Sequence, residues 1–102
     1  MTHILTIGLS SPNKAKELAQ LYMSKEKPSY PDFLKKINSW AAPNYQGKYR
    51  TIALYECPDN KLYEAMVALT KRYNFYTSKG DYTFEILPLM SEADTLPIVL
   101  GK

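Results

Sequence analysis

The sequence predicts an α+β domain in which the elements follow one another as strand, helix, strand, strand, helix, strand. A chain of 102 residues with 45% hydrophobic and 23% charged residues suits one globular domain. Four segments are rich in strand-forming residues, and two others repeat apolar residues at helical spacing. This order is the split βαβ, or ferredoxin-like, arrangement, with two helices on one face of a four-stranded antiparallel sheet.

The clearest unit is a strand and a helix in immediate succession. Lys48 to Cys57 is predicted as a strand, because it holds β-branched and aromatic residues with no Gly or Pro inside. Pro58 brings no N–H to a ladder and ends the strand, and Asp59 is predicted to cap the helix. The apolar stripe of that helix consists of Leu62, Ala65, Met66, Leu69 and Tyr73.

The N-terminal half is predicted to supply a strand and a helix. His3 to Leu9 is a strand with little polar alternation, which indicates that both of its faces are covered. A helix follows the cap candidates Ser10 and Ser11, with Pro12 as its first residue, and ends by about Lys25. Its apolar stripe consists of Ala15, Leu18, Ala19 and Tyr22.

Residues 33–41 are equally compatible with a strand or a short helix. We predict a strand from Leu34 to Ala41, because the segment AAPNYQG then connects it to the Lys48 strand as a loose hairpin.

The C-terminal part is predicted to hold a turn at 78–81, a fourth strand and a tail. The strand runs from Tyr82 to Leu87, and Pro88 restricts any further pairing to a sheet edge. Ser91 to Thr95 is predicted as a polar loop. The domain then covers residues 1–95, and residues 96–102 form an apolar tail that docks on the sheet edge or on a partner.

Charge and cysteine content restrict the classes of partner. The net charge of +3 comes from lysines interleaved with acidic residues, so no nucleic-acid patch is predicted. The chain has no apolar run near the roughly 20 residues that cross a bilayer, so no membrane partner is predicted. The single cysteine, Cys57, makes no internal disulfide, so the cytoplasm is the expected location.

Three short phrases carry a resemblance to a known superfamily. They are Asn38-Ser39-Trp40, Tyr55-Glu56 and Phe84-Glu85-Ile86-Leu87-Pro88, each at the end of a strand or within one. The chain resembles the dimeric α/β-barrel superfamily, and within it a small prokaryotic family of unknown function. The resemblance implies two sheets packed across a two-fold axis. Members of the superfamily include cofactor-free monooxygenases, isomerases, dechlorinating enzymes and haem-handling proteins, so the fold alone selects no activity.

A homodimer is also expected from the pattern itself, since two helices cover one face while the strands are apolar on both. Large side chains are predicted to fill the helix-covered face: Leu18, Tyr22, Leu62, Met66 and Leu69. Any cavity is therefore expected on the opposite face, with Trp40, Arg50 and Glu56 as the site and Tyr55 and His3 as weaker members. For Arg50 and Glu56 an ordinary surface or interface ion pair is the simpler interpretation, and for Trp40 and Tyr55 plain core or dimer packing is an equal alternative.

Metal and thiol chemistry have little support. His3 is the only histidine and has no partner at metal spacing, so no metal site is predicted. Cys57 precedes a helix, where a thiolate is favoured, but a buried inert thiol is the simpler interpretation. Sheet-based RNA binding is rejected, because the central strands lack the stacking aromatics.

Two functions from different classes remain. The first is a homodimeric module that binds a small molecule or serves a structural role. The second is a cofactor-free monooxygenase- or isomerase-like enzyme acting on a small aromatic or apolar substrate. No cofactor is predicted for either function.

Overall fold

The computed structural model describes residues 1–45, 47–79 and 81–101. Gln46 and Gly80, which the sequence assigns to turns, and Lys102 of the predicted tail lie outside these residues. Within them the chain forms an α+β fold with one four-stranded sheet and three helices. In chain order the elements are β1 (Thr2–Ser10), α1 (Ala15–Tyr22), β2 (Lys35–Tyr45), β3 (Lys48–Cys57), α2 (Leu62–Tyr76), β4 (Tyr82–Leu89) and α3 (Glu92–Val99). Short 3₁₀ turns lie at Pro12–Lys14, Asp59–Lys61 and Thr77–Lys79.

The sheet is antiparallel throughout and has the strand order β2-β3-β1-β4. In the β1–β3 register Ile4 lies opposite Tyr55, and Leu5 lies opposite Leu54. Residues opposite each other share a face, and successive residues alternate. We therefore define the helix face by the even-numbered residues of β1 and the odd-numbered residues of β3. The open face carries the odd-numbered residues of β1 and the even-numbered residues of β3.

The core lies between the helix face and α2. Ile4 of β1 and Tyr55 of β3 pack in one buried cluster with Ala65 and Leu69 of α2. Both α2 residues belong to the predicted stripe of this helix, and so does the buried Tyr73. Helix α1 packs less tightly, and none of its residues is buried.

The ambiguous segment is a strand, as predicted. β2 pairs with β3 and continues to Tyr45, so the connection to Lys48 is shorter than expected. Helix α1 in turn ends at Tyr22, short of the predicted Lys25. The Lys27 ammonium donates a hydrogen bond to the Tyr22 carbonyl, which helps to satisfy an acceptor that the helix end leaves free.

The predicted side-chain caps are wrong. Pro58, not Asp59, precedes the 3₁₀ turn that leads into α2, and no side chain caps it. The Asp59 carboxylate instead accepts a hydrogen bond from Thr2 Oγ1 at 2.8 Å and lies 3.3 Å from the N-terminal ammonium. Ser11 precedes Pro12 as expected, but its hydroxyl makes no capping bond.

The predicted polar loop at Ser91 to Thr95 is also wrong, because α3 occupies this region. The Ser91 side chain accepts a hydrogen bond from the Asp94 amide at 3.1 Å and caps the helix. None of the residues of α3 is buried. Strand β4 continues through Pro88, which its position at the sheet edge allows.

Candidate functional site

A cavity of about 540 Å³ lies on the helix face of the sheet, beneath α1 and beside the C-terminal half of α2. The prediction that large side chains close this face is therefore wrong. Leu18 and Tyr22, two of the residues expected to fill it, line the cavity instead. Helix α1 has only eight residues and buries none of them, so space remains between it and the sheet.

Tyrosines dominate the wall of this cavity. Among the described residues, seven tyrosines line it, namely Tyr22, Tyr30, Tyr49, Tyr55, Tyr73, Tyr76 and Tyr82. Tyr22 belongs to α1, and Tyr30 lies in the connection between α1 and β2. The others belong to β3, to α2 and to β4. The rings of Tyr76 and Tyr82 meet edge to face at 6.0 Å, which is a favourable aromatic geometry. The cavity therefore offers flat apolar surfaces whose edges carry hydroxyl groups.

Four hydroxyl groups form a chain at the buried side of the cavity. Tyr55, which is 1% exposed, has its Oη 2.8 Å from Tyr30 Oη and 2.7 Å from Tyr73 Oη. Tyr73 Oη lies 2.9 Å from Thr6 Oγ1, which in turn donates to the Ala53 carbonyl at 3.4 Å. Burial, the largest influence on both groups, raises the pKa of Tyr55 and of Tyr30 well above that of a free phenol. Both side chains therefore stay neutral at physiological pH.

A second polar group stands at the more exposed side of the cavity. The Lys36 ammonium donates a hydrogen bond of 3.1 Å to Tyr22 Oη. The Lys27 ammonium lies 4.5 Å from the centroid of the Tyr22 ring. The hydrogen bond from Lys36, followed by its charge, lowers the pKa of Tyr22 below that of a free phenol. This half-exposed phenol is thus set apart from the buried ones.

Of the five residues predicted for the site, two line the cavity. Tyr55 belongs to the helix face and forms the centre of the hydroxyl chain. Trp40 lies on edge strand β2 opposite Ile52, and it is 52% exposed.

The other three predicted residues lie on the open face, on the far side of the sheet from the cavity. His3 Nε2 is 3.6 Å from a Glu56 carboxylate oxygen, and the two residues are opposite each other in the register. Arg50 lies opposite Leu9, near the other end of β3. The six-residue separation of Arg50 and Glu56 corresponds to roughly 20 Å along a strand. These residues do not form one site with the cavity.

Sequence reasoning missed Tyr22, Tyr30, Lys36 and Tyr73 as cavity residues. The high tyrosine content was a signal, but it does not say which rings meet. Cys57 is buried, as the simpler interpretation predicted, and burial, followed by the Asp59 charge, raises the pKa of its thiol. Among the described residues, no three His, Cys, Asp or Glu side chains are grouped to hold a metal ion. No helix in the same residues is long and apolar enough to span a membrane.

Comparison with known proteins gives similarities of fold at low identity. No family model matches the chain, and no curated protein matches it. Among solved structures it is similar to the de novo designed protein Foldit4, with 8% identity, a TM-score of 0.49, and coverage of 90% of this chain and 100% of the design. It is also similar to a DUF3240 family protein from Shewanella baltica, with 11% identity, a TM-score of 0.37, and coverage of 90% and 94%. A Bacillus cereus protein related to NIF3 matches with 10% identity and a TM-score of 0.33, over 88% of this chain and 26% of that one.

Proposed function

We propose that this chain is a homodimeric small-molecule-binding protein whose ligand occupies the tyrosine-lined cavity. The observation that carries the proposal is the cavity itself, whose volume of about 540 Å³ falls within the range of small-molecule sites. Its aromatic walls favour a flat, partly apolar ligand. The hydroxyl groups and Lys36 supply the few polar contacts that orient a ligand in such sites.

Occupancy can be tested by blocking the cavity from α1. Ala19 and Gln20 are adjacent exposed residues of this helix, and of the two only Ala19 lines the cavity. Native mass spectrometry of the purified protein should detect a retained small molecule. Ala19→Trp should abolish that retention, while Gln20→Trp should leave it unchanged. Equal retention in both variants would place the ligand elsewhere, and the absence of any retained or added ligand would refute the binding function.

The dimer is proposed on the open face. This face carries Leu5 and Ile7 of β1 together with Ile52 and Leu54 of β3. Helix α3 adds a second unpartnered apolar surface, with Leu96, Ile98, Val99 and Leu100 exposed by 47%, 65%, 73% and 61%. Apolar surfaces of this extent favour association.

The fold assignment belongs to the same proposal. Strands β1 and β2 are both antiparallel to β3, which lies between them, and β3 and β4 flank β1 in the same way. Each pair is joined through a helix, as in the split βαβ arrangement. We therefore assign the protomer to the ferredoxin-like fold and the dimer to the dimeric α/β-barrel arrangement.

A charge on the open face tests the dimer. Leu87 is 39% exposed on β4 and lies opposite Leu5. Leu87→Lys should convert the dimer to monomers in sedimentation, whereas Thr70→Lys on the exposed side of α2 should not. Deleting Pro97 to Lys102 should weaken the dimer as well. A wild-type chain that sediments as a stable monomer at micromolar concentration would refute this part of the proposal.

One observation favours a second candidate function, a cofactor-free isomerase- or monooxygenase-like enzyme. Tyr22 has a lowered pKa and shares a hydrogen bond with Lys36, so the pair can exchange a proton with a ligand at the cavity mouth. Isomerisation is the simpler of the two reactions, because it requires only that a proton be removed and returned. Tyr22→Phe should then abolish turnover while ligand binding persists. If the wild-type protein binds a ligand but does not turn it over, the enzyme function is refuted and small-molecule binding is the function that remains.

A further inference from the structure

The charges around the cavity restrict its ligand further. Among the described residues that line it, Lys36 is the only one with a formal charge, and none is Asp or Glu. Lys27 adds a second ammonium group at the Tyr22 ring. A cavity with aromatic walls and a cationic side disfavours a cationic ligand and favours a single negative charge.

Lys36 is placed to receive that charge. Its ammonium has three N–H donors, and in the described contacts Tyr22 Oη accepts one of them at 3.1 Å. Lys36 also lies opposite Tyr55 in the register, so the cation and the hydroxyl chain are cross-strand neighbours on one face. An anion at Lys36 therefore lies on the same face of the sheet as the buried hydroxyl groups, at the more exposed side of the cavity.

One direction of donation gives every proton of the hydroxyl chain an acceptor. Each hydroxyl has one proton to donate, and the Ala53 carbonyl, 3.4 Å from Thr6 Oγ1, can accept that of Thr6. In this direction Tyr73 donates to Thr6, Tyr55 to Tyr73 and Tyr30 to Tyr55. The oxygen of Tyr30 is then left as an acceptor at the end of the chain. A ligand hydroxyl can donate to it without disturbing the buried bonds.

From these placements we infer that the cavity takes a flat aromatic carboxylate that carries a ring hydroxyl. The carboxylate lies on Lys36, the rings lie between the tyrosine side chains, and the hydroxyl donates to Tyr30. The inference rests on the proposed binding function and adds the chemical class of the ligand.

Three probes of one shape separate the contributions: 6-hydroxy-2-naphthoate, its neutral carboxamide, and 2-naphthoate, which lacks the hydroxyl. Calorimetry at low ionic strength should give the tightest binding for the first. The carboxamide should bind about tenfold more weakly or worse, because it loses a charge-assisted hydrogen bond. The compound without the hydroxyl should bind several-fold more weakly.

Matched variants assign each contact. Lys36→Gln should remove the preference for the acid over the amide, and Lys36→Arg should keep it. Lys35→Gln is the control, because Lys35 is exposed and adjacent in sequence on the same strand and lies outside the cavity. Tyr30→Phe should remove the preference for the hydroxylated probe, with Tyr63→Phe as its control.

The outcomes distinguish this inference from the function on which it rests. Equal binding of acid and amide to the wild-type chain would overturn the inference and leave a ligand-binding cavity. The inference would also be overturned if the Lys36→Gln variant still bound the carboxylate more tightly than the carboxamide. If none of the probes binds and no small molecule is retained by the purified protein, the binding function fails as well.

Discussion

Removal of the Tyr55 hydroxyl is the sharpest test of the buried network. Tyr55→Phe keeps the ring and deletes the oxygen that lies 2.8 Å from Tyr30 Oη and 2.7 Å from Tyr73 Oη. A typical net hydrogen bond contributes about 1 kcal/mol, and an orphaned buried group costs about 1–3 kcal/mol. Tyr73 keeps its bond to Thr6, and Tyr30 is only half-buried, so its hydroxyl can turn to water. We therefore expect a loss of about 1–2 kcal/mol in the free energy of unfolding.

Urea unfolding followed by circular dichroism measures this loss. The midpoint should fall while the slope stays unchanged, and the melting temperature should drop by about 4–16 °C for a domain of this size. Protein concentration must be matched between samples, because the stability of a dimer depends on it. Tyr63→Phe makes the same chemical change at a side chain that is 78% exposed, and it should leave the midpoint unchanged.

Two results would refute the reasoning. If Tyr55→Phe and Tyr63→Phe unfold at the same midpoint, the hydroxyl chain does not stabilise the native state. If Tyr55→Phe raises the free energy of unfolding, the buried hydroxyl destabilises the native state relative to a phenylalanine ring.

Three further predictions address other parts of the molecule. Burial raises the pKa of Tyr30, Tyr55, Tyr76 and Tyr82. Stability should therefore be complete well below about pH 10, the pKa at which unfolded tyrosine is half ionised, and should fall as the pH rises through it; titration of these four tyrosines near pH 10 with the fold intact would contradict this. A Cβ added at Gly8 would collide with the Tyr82 hydroxyl and lie 2.8 Å from its Cζ and 2.9 Å from Thr51 Oγ1, so Gly8→Ala should destabilise by about 1–3 kcal/mol. Adding Tyr82→Phe should recover part of that loss in a double-mutant cycle, and strict additivity would argue against the contact. Glu56→Gln should leave ligand affinity unchanged in a calorimetric titration, because Glu56 lies on the open face; a weakened ligand would return Glu56 to the site.

The regular parts of the fold could be predicted because their signals are local. β3 begins at Lys48 and ends at Cys57 as predicted, since strand-forming residues fill it and Pro58 stops it. The buried stripe of α2 follows from helical spacing. Helix α3 was missed although Ser91 and Asp94 have the spacing of a helix N-terminal capping motif. Pro97 is disfavoured inside a helix, yet α3 includes it.

The cavity could not be predicted, because its position depends on how tightly one short helix packs. The helix α1 was predicted from its apolar stripe, but that stripe is not fully buried: Ala19 is exposed and Tyr22 is 47% exposed. Tyr30, Tyr55 and Tyr73 are 25 and 18 residues apart along the chain, and only tertiary packing brings their hydroxyl groups together. Alternation on β3 correctly placed Arg50 and Glu56 on one face. The same alternation did not show that the two side chains lie roughly 20 Å apart along the strand, too far to act on one ligand group.

The two faces of the sheet divide the proposed roles between them. The open face offers aliphatic side chains such as Leu5 and Leu54, which suit a permanent contact between copies. The helix face holds the cavity, with hydroxyl groups at its buried side and an ammonium at its more exposed side. A dimer formed through the open face leaves most of each cavity outside the interface. We therefore expect assembly and ligand binding to be separable. Among the described cavity residues on the strands, only Trp40 and Ile52, which are paired on neighbouring strands, follow the alternation of the open face. At that pair the cavity rim reaches the edge of the proposed interface.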